Sequence, residues 1–125
     1  GVQVAEVAAP HRAAGRTLIG PQAYMAFLNL WKHAAVVLTD SGGLQEETTA
    51  LGVPCITIRE NTERPVTVDE GSNVLAGTDP AVIVAEARKV LRGDGKAGRR
   101  PELWDGQAAT RIVAILADAL SQKKA

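Results

Sequence analysis

The chain has 125 residues, 46% of them hydrophobic and only 3% aromatic, so we expect one domain with a core of Ala, Val, Leu and Ile. Basic and acidic residues balance at 14 each, which removes any argument from charge for nucleic acid or an anionic membrane as a partner. No apolar run approaches the roughly 18 residues of a membrane span, and no signal peptide is visible, so a cytoplasmic protein is predicted.

Strand and helix patterns alternate along the chain. Apolar residues at helical spacing define the helices, and glycine or proline residues bound them. The predicted elements in chain order are a strand at 16–20, a helix from 21 to 31, a strand at 34–39, a helix at 44–51, a strand at 55–59, a short helix at 65–70, a strand at 73–77 and helices at 80–91 and 107–120. This alternation predicts an α/β fold, in which a parallel sheet lies between flanking helices in three layers.

The segment from Thr39 to Glu47 has two glycines and a serine where a predicted strand turns into a helix. Glycine lets backbone N–H groups approach a ligand, and the first N–H groups of a helix have no internal partner. Ser41, Gly42 and Gly43 are therefore predicted to bind phosphate. A carboxylate one turn into the helix, at Glu47, suits ribose hydroxyls. Taken alone, the glycine pair also fits a tight turn without a ligand.

A second polar loop follows the next predicted strand, at residues 59–64. The carboxyl ends of neighbouring parallel strands share one edge of a sheet, so we expect this loop beside Ser41–Gly43. The planar guanidinium of Arg64 suits a pair of phosphate oxygens, and a diphosphate between the two loops is the predicted ligand. Arg59 and Glu63 are equally consistent with a simple ion pair. Glu46 is interpreted as a solvated or packing residue of the helix.

Other reactive residues are interpreted as structural. Cys55 is the one cysteine and lies in an apolar run, as expected for a buried thiol. His33 lies near the end of a predicted helix, where a cation is favourable. No cluster has metal-ligand spacing and no Ser/His/Asp set is apparent, so neither a metal nor a cofactor is predicted.

Several motifs occur in a fixed order along the chain. They are P-Q-A-Y at 21–24, T-D-S-G-G-L-Q-E-E at 39–47, L-G-V-P at 51–54, R-E-N-T-E-R-P at 59–65, E-G-S-N at 70–73, G-T-D at 77–79 and D-G at 105–106. Together they resemble the signature of the non-hydrolysing UDP-N-acetylglucosamine 2-epimerases. The resemblance covers about residues 16 to 120.

This resemblance implies a fold and a set of ligand contacts. The fold would be the C-terminal Rossmann-like domain of a glycosyltransferase-B fold, truncated at its N-terminal side. Residues 16–120 would form the UDP-binding domain, after an unassigned leader at 1–15 and before a tail at 121–125. By the resemblance, Gln22 and Phe27 would meet the uracil, Ser41, Gly42 and Gly43 the phosphates, Glu47 the ribose hydroxyls, and Arg64 the diphosphate and sugar side. Phe27 also fits the core of an amphipathic helix.

The resemblance also implies a reaction. In the family, UDP leaves UDP-N-acetylglucosamine, a glycal forms, and UDP adds back with carbon 2 inverted to give UDP-N-acetylmannosamine. The family's acid/base carboxylates lie in an N-terminal domain, so the catalytic residues of this chain are unknown and we expect it to be inactive alone. His11 and Arg12 resemble a family H-R pair, but His11 stands only 30 residues before Ser41, so a solvated loop residue is the preferred interpretation.

Alternatives from two other classes stay open. One is a free-standing nucleotide-sugar-binding module without catalysis, and the other is the C-terminal half of a related glycosyltransferase. The partners implied by the resemblance are UDP or a UDP-N-acetylhexosamine, an N-terminal epimerase domain and a second copy of the chain in a homodimer. Nucleic acid and membrane are not among them.

Overall fold

A computed structural model describes residues 11–13 and 15–124, which fall into two compact units, one ending at Trp31 and one beginning at Lys32. The first unit contains strand β1 (His11–Ala13), strand β2 (Arg16–Leu18) and helix α1 (Tyr24–Trp31). His11 begins β1, and Pro21 lies three residues ahead of α1 rather than at its start.

Strand β2 differs from its prediction in length and in pairing. It ends at Leu18 and pairs antiparallel with β1, with Arg12 opposite Thr17. The expectation that it joins the parallel sheet was therefore wrong. Only two residues connect β1 to β2, and a connection of that length permits a hairpin but no crossover to a parallel partner.

The second unit contains a three-stranded parallel sheet, as the alternation of patterns predicted. Strands β3 (Val37–Thr39), β4 (Cys55–Thr57) and β5 (Asn73–Leu75) lie side by side in chain order. Val37 is in register with Cys55, and Cys55 with Asn73. The loops that follow the three strands therefore lie at one edge of the sheet.

Four helices accompany this sheet, namely α2 (Gly42–Leu51), α3 (Pro65–Asp69), α4 (Pro80–Leu91) and α5 (Ala108–Gln122). Their ends follow local rules. Gly52 ends α2 with φ 71°, a left-handed conformation that glycine adopts without cost. Asp79 precedes α4, and its carboxylate accepts a hydrogen bond of 2.9 Å from the N–H of Ala81. α2 begins two residues before its predicted start, because both glycines are helical.

The buried interior of the second unit is small and partly polar. Its apolar members are Val37, Val53, Cys55, Ile56 and Ala76, and they lie on or beside the strands. The apolar stripes of the two long helices remain exposed, with Ile115 on α5 68% exposed. Among the described residues, none of the helices is both long and apolar enough to traverse a lipid bilayer.

The segment 95–101 is hydrogen-bonded to α2, α3 and β5. Lys96 donates to the carbonyl oxygens of Val68 and Asn73, and Arg100 Nε donates to the carbonyl of Ala50 at 3.1 Å. Burial lowers the pKa of the Lys96 ammonium. The segment lines a cavity of about 530 Å³ beside Pro54 and Ser72, which precede β4 and β5.

Candidate nucleotide-binding site

The proposed phosphate corner lies where β3 passes into α2. Ser41 precedes α2 in an extended conformation, with φ −79° and ψ 127°, and its side chain makes no capping hydrogen bond. Its own N–H donates to Thr39 Oγ1 at 3.0 Å. Because no capping side chain occupies the first turn, the opening N–H groups of α2 are available to an anion.

Gly42 and Gly43 occupy the first turn of α2, and the described fold does not require glycine at either position. A Cβ on Gly43 would meet nothing within 4 Å, and one on Gly42 would meet only Glu63 Oε1 at 3.9 Å. Neither residue has a positive φ. Glycine in a helix costs roughly 0.5–1 kcal/mol relative to alanine. The open space above the two residues therefore fits close approach of a ligand to the backbone.

The loop after β4 is folded around Arg59. The guanidinium of Arg59 contacts both carboxylate oxygens of Glu63, at 3.2 and 3.0 Å, and the side chain of Asn61 at 3.2 Å. The backbone N–H of Glu63 and then Arg59 lower the pKa of the Glu63 carboxyl. The ion pair between Arg59 and Glu63 that the sequence suggested is therefore present, and it occupies the guanidinium of Arg59 within the loop.

Arg64 faces α2, where it lies beside Glu46. Its Nε lies 2.8 Å from Glu46 Oε1, and its Nη1 donates to the carbonyl of Glu63 at 3.3 Å. The Nε–H is not aligned with the carboxylate, so the first contact is an ion pair rather than a hydrogen bond. Glu46 is thus an ionic partner of Arg64 and not merely a solvated helix residue.

Buried amides behind this loop form the part of the site that the sequence did not reveal. Gln45 on α2 and Asn73 on β5 are both 0% exposed. Gln45 Oε1 accepts from Thr62 Oγ1 at 2.6 Å and from Asn73 Nδ2 at 3.2 Å. Thr62 Oγ1 accepts in turn from the N–H of Arg64 at 2.9 Å. The sequence feature that could have indicated these buried amides is the presence of polar residues at positions where a helix and a parallel strand face the core.

The remaining predicted contacts are distributed over both units. Glu47 is half-buried on α2 and lines a shallow groove of about 330 Å³ with Glu46, Ala50 and Trp104. Gln22 and Phe27 belong to the first unit. Gln22 Nε2 donates to the carbonyl of Gly20 at 3.0 Å, and Phe27 on α1 is 43% exposed. The structure thus brings Ser41, Gly42, Gly43 and Arg64 to one edge of the sheet, whereas the two uracil candidates remain predictions.

Within residues 11–13 and 15–124, no group of three or more His, Cys, Asp and Glu side chains is arranged to hold a metal ion. Cys55 is buried on β4, and burial raises the pKa of its thiol.

Comparison with known proteins decides the family. The family model described as UDP-N-acetylglucosamine 2-epimerase matches residues 3–117. This chain belongs to that family. A UDP-N-acetylglucosamine 2-epimerase of Methanococcus maripaludis is 50% identical over 91 residues, which are 66% of this chain and 25% of that protein. The chain thus spans about a quarter of the length of the curated relatives that it matches.

Solved structures of this family share the fold. The Methanocaldococcus jannaschii enzyme in complex with UDP-GlcNAc and UDP matches with a TM-score of 0.68 and 43% identity, over 79% of this chain and 27% of that one. The Neisseria meningitidis enzyme bound to UDP-GlcNAc matches with a TM-score of 0.68 and 32% identity, over 80% of this chain and 28% of that one. The described fold is therefore part of a glycosyltransferase-B-like domain, as the motifs predicted.

Proposed function

We propose that this chain is the UDP-binding portion of a UDP-N-acetylglucosamine 2-epimerase. Ser41, Gly42 and Gly43 hold the phosphates, Glu47 binds the ribose hydroxyls and Arg64 reaches the diphosphate. The nucleotide-binding region extends over residues 16–120 and includes Gln22 and Phe27 as the contacts of the uracil. The observation that carries this proposal is the pair of helical glycines at an open helix start, since the fold itself has no need of them.

The reaction that this portion serves is elimination of UDP from UDP-N-acetylglucosamine and its re-addition to a glycal with carbon 2 inverted. UDP is both leaving group and nucleophile, so a site that retains the diphosphate throughout suits the reaction. A nucleotide held by backbone N–H groups and one guanidinium has this property, because those donors favour the charged form that departs and returns.

Proton transfer at carbon 2 is assigned to carboxylates outside this set of residues. Of the acidic side chains near the site, Glu46 pairs with Arg64 and Glu63 with Arg59. Glu70 pairs with Arg99 at 3.1 Å. A carboxylate held by a cation is a weak base for a carbon-bound proton, because the cation stabilises its charged form. An N-terminal epimerase domain is the partner that supplies the acid and base.

Calorimetric titration of the chain with UDP, UMP and uridine tests the proposal. UDP is expected to bind more tightly than UMP, and UMP more tightly than uridine, because each phosphate adds contacts at Ser41–Gly43 and Arg64. Equal affinity for UDP and uridine would remove the phosphate role of this corner. The three ligands could bind in the expected order of affinity while the chain plays no role in an assembled epimerase. That result would favour the alternative of a nucleotide-sugar-binding module without catalysis.

A further inference from the structure

A ring of hydrogen bonds begins and ends on the backbone of Arg64. The N–H of Arg64 donates to Thr62 Oγ1 at 2.9 Å, and Thr62 Oγ1 donates to Gln45 Oε1 at 2.6 Å. Asn73 Nδ2 donates to the same Gln45 oxygen at 3.2 Å and to Thr67 Oγ1 at 3.0 Å. Thr67 Oγ1 closes the ring by donating to the carbonyl of Arg64 at 2.7 Å.

We propose that Gln45, Thr62, Thr67 and Asn73 are positioning residues, which hold Arg64 at a fixed place relative to the glycine corner. The inference rests on the proposed function, because it assigns a role toward the diphosphate that Arg64 binds. Gln45, Thr67 and Asn73 are fully buried, so their side chains are not exposed to a ligand. They act through the backbone from which the guanidinium projects.

The direction of every bond in the ring is determined. Thr67 gives its one hydroxyl proton to the carbonyl of Arg64, so it accepts from Asn73, and the atom of Asn73 that faces it is the NH₂ group. The other amide atom of Asn73 accepts from Thr57 Oγ1 at 2.6 Å. Gln45 must then present its oxygen to Asn73 and to Thr62. The ring therefore has one consistent arrangement of donors and acceptors.

Burial makes this arrangement stiff. Gln45, Thr67 and Asn73 are 0% exposed, so water cannot replace a broken bond without reaching the interior. The Gln45 Nε2 group has no hydrogen-bond partner, but every bond of the ring itself is made. A polar group left unpaired in such surroundings is costly, so each bond of the ring resists breaking. The ring thus restricts the peptide groups on both sides of the Arg64 Cα.

Helix α2 joins the ring to the proposed phosphate corner. Gly42 and Gly43 lie in its first turn, Gln45 follows within the ring, and Glu46 pairs with Arg64 Nε at 2.8 Å. One helix therefore carries the backbone donors and two of the groups that hold the arginine. The separation between the donors and the guanidinium is set before any nucleotide arrives, which lowers the ordering cost of binding.

Thr62→Val tests the inference, because it removes the hydroxyl but keeps the shape, and Thr62→Ser is its matched control because it keeps the hydroxyl. In the full chain we expect Thr62→Val to weaken UDP binding about tenfold and to leave uridine affinity unchanged. We expect Thr62→Ser to restore UDP binding. In a protein that already carries Arg64→Ala, adding Thr62→Val should weaken UDP binding by less than about a further twofold, because the guanidinium is already absent. Thr67→Val breaks the ring at the carbonyl side and should reproduce the loss.

Exchange of the Arg64 amide hydrogen, followed by NMR, gives a measurement that needs no ligand. Thr62→Val should accelerate this exchange about tenfold or more while the amides of β4 keep their protection, and Thr62→Ser should not. Unchanged exchange in Thr62→Val would overturn the inference whether or not UDP binds. Full additivity with Arg64→Ala would also overturn it. Wild-type protein that fails to bind UDP would instead defeat the proposed function.

Discussion

Glu46 lies beside Arg64, with Oε1 2.8 Å from Nε, so the loop after β4 is joined to the helix that carries the glycine corner. The two side chains are 42% and 41% exposed, and an ion pair at that exposure contributes at most about 1 kcal/mol to stability. Its effect is on geometry, because the pair holds one edge of the guanidinium toward α2.

Arg64→Ala is predicted to weaken UDP binding by roughly 1.5–3 kcal/mol, the range for hydrogen bonds to charged groups. Arg64→Lys should recover only part of the loss, since a point charge replaces a planar fork. Calorimetry measures both. Arg99→Ala is the control, because it removes an equal charge from the cavity beside Pro54 and Ser72. Wild-type affinity in Arg64→Ala would make Arg64 a surface residue without a ligand role.

Gly43→Ala is predicted to separate binding from stability. The new methyl group meets nothing within 4 Å, so the free energy of unfolding should rise by roughly 0.5–1 kcal/mol in this helical position. UDP affinity should fall, because the methyl group occupies the space that the phosphate needs. Urea unfolding and calorimetry measure the two effects. Gly52→Ala, at φ 71°, should do the reverse, with lower stability and unchanged affinity. Undiminished affinity in Gly43→Ala would contradict the proposed phosphate site.

Gly98→Ala is predicted to destabilise the second unit. A Cβ on Gly98 would lie 2.3 Å from the carbonyl carbon of Gly71 and 2.4 Å from the nitrogen of Ser72. Both are backbone atoms, so the chain itself must shift, at a cost of about 1–3 kcal/mol or more. A lower midpoint of urea unfolding with an unchanged slope checks this. A midpoint equal to that of the wild-type protein would mean that segment 95–101 does not pack closely on Gly71 and Ser72.

Asp105 is predicted to stay ionised far into the acid range. Its carboxylate accepts from both terminal nitrogens of Arg111, at 3.0 and 2.8 Å, and from the N–H of Gln107 at 2.9 Å. Arg111 and then Gln107 hold the pKa of Asp105 well below its usual range. The folded pKa is depressed, so this stabilisation is complete above the usual value of about 3.9 and is lost as the pH falls through the folded pKa.

NMR titration of the Asp105 carboxyl carbon measures this pKa directly. In Arg111→Gln the midpoint should move up toward the usual range, and the acid end of the unfolding profile should show a smaller loss of stability. Equal midpoints in the two proteins would show that the pair does not persist in solution.

Turnover by residues 1–125 alone is predicted to be absent, because Glu46, Glu63 and Glu70 are paired with arginines, Glu47 is assigned to ribose, and proton transfer is assigned to another domain. The chain is incubated with UDP-N-acetylglucosamine in deuterated water, and the product is examined by NMR. We expect no deuterium at carbon 2 and no UDP-N-acetylmannosamine. Deuterium at carbon 2 would overturn the assignment of proton transfer to another domain and would return attention to His11 and Asp40.

Local patterns were sufficient for much of the fold. The alternation of strands and helices, the helix that follows Ser41 and the ends of α2 and α4 at Gly52 and Asp79 all follow from residues within a few positions of one another. These features are readable because hydrophobic period, capping and backbone freedom act over one or two turns of chain. The antiparallel pairing of β2 was missed, since it depends on which segment lies opposite.

The organisation of the site could not be read in the same way. Gln45 contacts Thr62 from 17 positions away and Asn73 from 28, and nothing near Gln45 in the chain indicates either partner. Glu46 likewise meets Arg64 across two elements. Whether a polar side chain is solvated, paired or sealed in a ring depends on which surfaces the packed sheet and helices bring together. That is a property of the folded chain, because burial and partner are set jointly by residues distant in sequence.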